Sequence, residues 1–141
     1  MADRYPLVGV EFGIVLAAGR VFGPRDNQDV VLILDTGAST TTLQAALLTE
    51  VGIDLSASKE QRRVNTMGGP VTEGVIEVPR LRIFGKEQAP LEVIFTERPF
   101  PYQVDGVLGL NFLLPYRLCL DFPAGWIELR KSTPIPDSSA G

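Results

Sequence analysis

Histidine is absent from the 141 residues, and cysteine occurs once. The first absence removes Ser-His-Asp and Cys-His catalysis and the commonest zinc sites together. The second removes any intrachain disulfide and any two-cysteine metal site. Cys119 lies in the strand-like run Arg117-Leu118-Cys119-Leu120, which suits a small buried hydrophobe better than a reactive thiol. No apolar run approaches the length of a membrane span. The start, Met1 to Pro6, lacks the apolar core of a signal peptide, so a native Met1 implies a cytoplasmic chain. Lys/Arg clusters are missing and the net charge is −4, which argues against nucleic acid or an anionic membrane as partner. Gly-X-Gly-X-X-Gly and P-loop fingerprints are missing too, which argues against nucleotide binding. No cofactor and no metal is expected. If the chain is an enzyme, its proton-handling groups are carboxylates, lysines or tyrosines.

What is present is the balance of a globular domain. Hydrophobic residues make up 45% and charged residues 21%, and the length suits one core. We expect one domain over residues 1–131 and a disordered tail over 132–141, where Ser, Pro and small residues collect. Tyr5 to Leu16, with Val10, Phe12 and Ile14 alternating, reads as a strand. Gly23 to Asn27 reads as a turn. Leu43 to Glu50 carries helix formers, with Thr42 as a cap and Gly52 as a stop. Arg62 to Val78 reads as a hairpin about Gly68-Gly69, and Leu81–Phe84 and Leu91–Phe95 as strands. Pro99 and Pro101 stiffen a loop. Val104 to Leu114 reads as a strand, a glycine corner and a short helix, and a last hairpin turns at Pro123-Ala124-Gly125. About nine strands and two short helices predict an all-β domain, closed like a barrel or sandwiched.

The chemistry gathers at Val30-Val31-Leu32-Ile33-Leu34-Asp35-Thr36-Gly37-Ala38-Ser39. Five apolar residues predict a strand covered on both faces. The strand delivers the Asp35 carboxylate to a tight turn at the edge of a core, a costly place for a charge. Such a charge is either hydrogen-bonded within its own turn or there for chemistry. Asp105, before a glycine at a corner, is read as a turn residue.

Three features frame Asp-Thr-Gly: the apolar strand before it, the Gly-rich hairpin after it, and Val107-Leu108-Gly109 ahead of a short helix and a final hairpin. With them the sequence resembles the retropepsins, the single-domain aspartic proteases of retroviruses and related cellular proteins. The resemblance runs from about Val8 to Leu129. Leu34 to Ser39 and Gly106 to Leu113 look more like cellular and bacterial members than viral ones. Viral members usually carry an acid near Ser39-Thr40 and an arginine after the second glycine. Leu110 stands there instead, so the stabilising role of that ion pair must pass to other contacts.

The resemblance implies an acid-protease fold and an aspartic endopeptidase. Carboxylate catalysis needs two acids that share a proton. Only one Asp-Thr-Gly exists here, and a two-lobed enzyme would need roughly twice the length. The resemblance therefore implies a C2 homodimer, each chain giving Asp35. Thr36 would then bond across the dimer, Gly37 would bring its N–H to the carboxylate, and Ala38 would leave room for substrate. Met67, Gly68, Gly69 and Pro70 would form a flap tip over an extended peptide, with apolar residues preferred on both sides of the cut bond. Val107, Leu108 and Gly109 would pack behind the loop. The alternative is a non-catalytic dimeric β domain of the same fold that binds a peptide or scaffolds a partner. Pro70, which stiffens the tip, is the residue that favours it.

Overall fold

The computed structural model describes residues 4–132. In chain order these form β1 (Arg4–Pro6), β2 (Leu16–Phe22), β3 (Asn27–Leu34), β4 (Thr42–Gln44), α1 (Ala45–Glu50), β5 (Glu60–Thr66) and β6 (Gly69–Val78). Then come β7 (Arg80–Ile83), β8 (Lys86–Gln88), β9 (Leu91–Thr96), β10 (Gly106–Leu108), α2 (Leu110–Leu113), β11 (Tyr116–Asp121) and β12 (Trp126–Lys131). The expected tail, apart from Ser132, and Met1 lie outside the described residues.

The protein is mostly β with two short helices, as expected, but its sheet is open. Nine strands run β5-β6-β9-β4-β10-β3-β2-β7-β8, and a separate sheet runs β1-β12-β11. The expected closure into a barrel is therefore corrected. One end strand, β5, belongs to a ribbon that leaves the sheet. The other, β8, has three residues, two of them Lys86 and Glu87, and offers too little edge to pair. Leu32, Leu43, Leu108, Phe112, Ile127 and Leu129 are fully or almost fully buried and join both sheets in one core.

Three local readings also change. Tyr5 to Leu16 is not one strand. Gly9 at φ 96° and Gly13 at φ 79° bracket a 3-10 turn over Val10–Phe12, and β2 starts only at Leu16. The alternating Val10 and Phe12 are exposed, so their spacing marked no core face. Thr42 caps no helix. Thr42–Gln44 pairs parallel with Ile94–Thr96, and α1 begins at Ala45. Sheet pairing outweighs the capping preference here. β3 is not covered on both faces: Val30 and Leu32 are buried while Val31 is 38% exposed. Its apolar run reflects backbone pairing on both edges, parallel with β10 and antiparallel with β2.

One crossover positions everything that follows. β10 inserts between β3 and β4, parallel to the first and antiparallel to the second. Gly106 permits it, since a Cβ there would lie 2.0 Å from the Thr42 carbonyl oxygen. The insertion brings Val107 and Leu108 opposite Ile33 and Leu34, at the end of β3 that leads into Asp35.

Candidate functional site

Asp35 is the first residue past β3, and its side chain is exposed in the single chain. Its backbone N–H donates to the Leu108 carbonyl at 3.0 Å, which ties it to β10. The Gly37 N–H donates to Asp35 Oδ1 at 2.8 Å. A Cβ on Gly37 would stand 3.1 Å from that oxygen, so a side chain there would crowd the carboxylate. The Ala38 N–H donates to the Asp35 carbonyl at 3.1 Å and closes the turn. Thr36 is exposed, and its hydroxyl finds no partner among the described residues.

The loop is clamped from below by α2. Leu110 N–H donates to the Ala38 carbonyl at 2.8 Å, and Asn111 N–H to the Ser39 carbonyl at 3.1 Å. Thr41, fully buried, donates through both N–H and hydroxyl to Asn111 Oδ1, at 2.8 and 2.9 Å. Its hydroxyl oxygen also accepts from the Gly109 N–H at 3.0 Å. Asn111 Nδ2 then reaches the Glu92 carbonyl at 2.6 Å. Neutral hydrogen bonds thus hold this loop to α2. This spares the core a charge that would need desolvating. Thr41 and Asn111 are not apparent from sequence, because their pairing depends on the β10 crossover.

Replacing Thr41 by Val keeps the shape and removes the hydroxyl. The Gly109 N–H then loses its acceptor in a buried place, and Asn111 loses one of its two donors. We expect Thr41→Val to cost about 2 kcal/mol of stability, read as a fall in the urea midpoint with an unchanged slope.

Above the loop stands the β5–β6 ribbon. Gly74 to Val78 pair with β9, Gly74 and Val75 with β5 as well, whereas Gly69 to Glu73 pair with β5 alone. The outer half is therefore a two-stranded projection, a weak element that can move. Met67 and Gly68 form its turn, and Met67 is fully exposed. Gly69 has φ 108°, a left-handed backbone that glycine adopts freely, and Pro70 follows it at the start of β6.

Between ribbon and loop lies a cleft of about 360 Å³. Asp35, Gly37, Ala38 and Thr40 line its floor, and Arg62, Val64 and Asn65 its roof. Among the described residues Asp35 is its one carboxylate. Met67 to Pro70 lie beyond it, at the free end of the ribbon. The Arg62 guanidinium spans the cleft's side. It donates to Thr40 Oγ1 at 3.1 Å, to Glu60 at 2.8 Å and to Glu92 at 2.7 Å. The bonds it donates to Glu60, then to Glu92, hold it protonated still more firmly than usual. Arg62 is a residue that sequence reading passes over, since nothing local distinguishes it from a solvated strand cation.

A second tether joins the ribbon to the loop after β9. Glu73, on β6, accepts from Arg98 Nε at 2.7 Å and from Thr96 Oγ1 at 2.9 Å. The loop expected to be stiff through proline alone is thus also held by charge. Asp105 was expected to serve its own turn, but its side chain bonds across the sheet. Its Oδ2 accepts from the Val31 N–H at 2.8 Å, which braces β10 against β3. No group of three or more His, Cys, Asp or Glu side chains among the described residues is placed to hold a metal ion. No helix of these residues is long and apolar enough to cross a membrane.

Comparison with known proteins agrees with this geometry. A family model described as aspartyl protease matches residues 17–112. Among solved structures, a retropepsin-like aspartic protease from Rickettsia conorii superposes with a TM-score of 0.68 at 20% identity. The match covers 89% of each chain, and it is a likeness of fold. No curated protein matches significantly.

Proposed function

The chain belongs to the aspartyl protease family, and from that premise we propose that it cleaves peptide bonds with a water held between Asp35 and the partner's Asp35. It is an aspartic endopeptidase of retropepsin-like fold. The observation that carries the finer reading is the solitude of Asp35. It lies in the cleft between ribbon and loop, exposed, without another carboxylate among the described lining residues. One carboxylate cannot serve at once as base and acid. A second copy, related by a twofold axis beside Asp35, supplies the missing group.

Two carboxylates that close share one proton, because both cannot ionise together. The ionised member takes a proton from the water as the water oxygen attacks the peptide carbon. The protonated member gives its proton to the carbonyl oxygen. As the resulting diol collapses, the C–N bond breaks, one hydroxyl returns its proton to the ionised carboxylate, and the protonated carboxyl gives its proton to the leaving nitrogen. The Gly37 N–H, already on Oδ1, steadies the carboxylate through these changes. The free hydroxyl of Thr36 is suited to bond across the axis. Ala38 keeps the floor shallow. Val107, Leu108 and Gly109 hold the loop from behind. The ribbon tip, Met67 to Pro70, closes over an extended peptide and excludes water. The substrate is a peptide or protein segment in strand form, with apolar side chains flanking the cut bond.

The reading is tested by mixing. Asp35→Asn chains added to wild type in about ninefold excess leave about a tenth of wild-type chains paired with one another. After subunit exchange, activity on a peptide library is expected to fall to about that fraction. Activity that stays constant would mean that a single chain is sufficient, and the shared site would be wrong.

A further inference from the structure

We propose that Arg62 and Glu73 form an ion-pair switch at the root of the ribbon: each is bound to the body of the domain while the ribbon lies over Asp35, and the two bind each other when it lifts. The inference rests on the reading of the ribbon as the cover of the Asp35 cleft, and it names the residues that position that cover.

The switch sits at a boundary in the sheet. Gly74 is the last residue toward the ribbon tip that pairs on both edges, with Gln61 of β5 and Phe95 of β9. The next rung outward is Arg62 opposite Glu73, the first that two strands hold alone. Residues directly opposite on antiparallel strands share a face, with about 5 Å between their Cβ atoms. A guanidinium and a carboxylate so placed have each other as the nearest cross-strand partner. Here each turns to the body instead. Arg62 reaches Glu92 on β9 at 2.7 Å and Thr40 Oγ1, beside the Asp35 loop, at 3.1 Å. Glu73 Oε1 accepts from Arg98 Nη2 at 2.6 Å, from Arg98 Nε at 2.7 Å and from the Thr96 hydroxyl at 2.9 Å. The rung is thus fastened through both of its strands, to different elements. Glu60, which also bonds Arg62, lies opposite Val75 inside the three-stranded part and so belongs with the body.

Burial gives the exchange its direction. The Glu73 side chain is only 12% exposed, and a carboxylate that covered is costly without a cation. Lifting the ribbon takes Glu73 from Arg98 and Arg62 from Glu92 together, and leaves the two facing across one rung. Two sets of bonds to the body are exchanged for one pair within the ribbon. The docked state is favoured by its larger number of bonds, and the lifted state leaves neither charge alone.

The test is to exchange the two charges. If Arg62 and Glu73 only steadied the ribbon as a cross-strand pair, Arg62→Glu and Glu73→Arg would each weaken it and the double exchange would restore it. The switch predicts the reverse. The double variant keeps the lifted pair, but in the docked state it sets a carboxylate against Glu60 and Glu92 and a guanidinium against Arg98. A nitroxide on Met67→Cys, in a Cys119→Ser background, reads ribbon height through the broadening it causes in the amide signals of residues 35–40. The broadening is expected to fall about threefold or more in the double variant, further than in either single, because opposed charges replace hydrogen bonds to charged groups. Glu92→Gln with Arg98→Gln removes the body's charges, leaves Arg62 and Glu73 in place, and is expected to lift the ribbon as well. Broadening that returns to the wild-type value in the double exchange, or that stays there in the Glu92, Arg98 variant, overturns the switch. Kinetics test the cover separately. A docked ribbon holds bound peptide and transition state alike, so lifted variants are expected to raise KM about tenfold with kcat within about threefold, and Arg62→Lys to stay nearer wild type. Lifted variants with an unchanged KM, or a wild type that cleaves nothing, overturn the ribbon's part in catalysis while the broadening still decides the switch.

Discussion

Asp35→Asn is expected to lower kcat/KM by roughly 10⁴-fold, the upper range for loss of positioned acid–base catalysis, and to leave sedimentation mass and melting temperature near wild type. The amide keeps the size and shape of the carboxylate. It can still accept from the Gly37 N–H through its oxygen, so the turn is not disturbed. What it cannot do is take a proton from water or hold the shared proton of the proposed dyad. The side chain is exposed in the single chain, so no packing is lost with the charge. Cleavage of a peptide library followed by mass spectrometry is the measurement. Equal cleavage by wild type and variant would remove Asp35 from the chemistry. No cleavage by either, with peptide still bound, would favour the non-catalytic reading of the same fold.

Gly109→Ala is expected to cost about 3 kcal/mol or more and to take activity with it. Gly109 is extended, with φ −104°, so the backbone angle is not the constraint. The constraint is space. A Cβ there would lie 2.6 Å from the Thr40 carbonyl carbon and 2.8 Å from the Thr41 nitrogen. Both are backbone atoms of the segment that the Asn111 bonds hold in place, and neither can swing aside as a side chain would. Relief requires α2 and the Asp35 loop to separate, which breaks the Leu110–Ala38 and Asn111–Ser39 bonds. Chemical denaturation measures the stability loss. Activity assayed well below the new midpoint separates a displaced loop from simple unfolding. A variant as stable as wild type would mean that the close approach is not there.

These two residues mark how far the sequence can be read. Asp35, Thr36 and Gly37 are legible because their signal is local: an apolar strand, an acid and a glycine within a few positions. Val107-Leu108-Gly109 is legible for the same reason, as a strand meeting a glycine corner before a helix. The β5–β6 hairpin is legible from its glycine pair, though the turn is Met67-Gly68 and Gly69 already opens β6. The misread pieces are those where local signals compete with distant pairing. Thr42 looks like a cap but is a strand residue, because Ile94 and Val107 come alongside it. Val10 and Phe12 alternate like a strand, yet two left-handed glycines turn the backbone out of the sheet. The barrel was a count of strands with no means of knowing that β5 would leave the sheet.

The family resemblance implies a partner for one carboxylate, while composition and spacing are enough to single that carboxylate out and to exclude histidine chemistry. They act through chemistry that each residue carries wherever it lies. The clamp of Thr41 and Asn111 comes into being when β10 lies between β3 and β4 and sets residues 70 positions apart within a hydrogen bond of one another, and the Arg62 tether when the ribbon brings Arg62 to Thr40 and Glu92. Hydrogen bonds act over about 3 Å, and a linear chain holds no record of which distant groups will be brought that near.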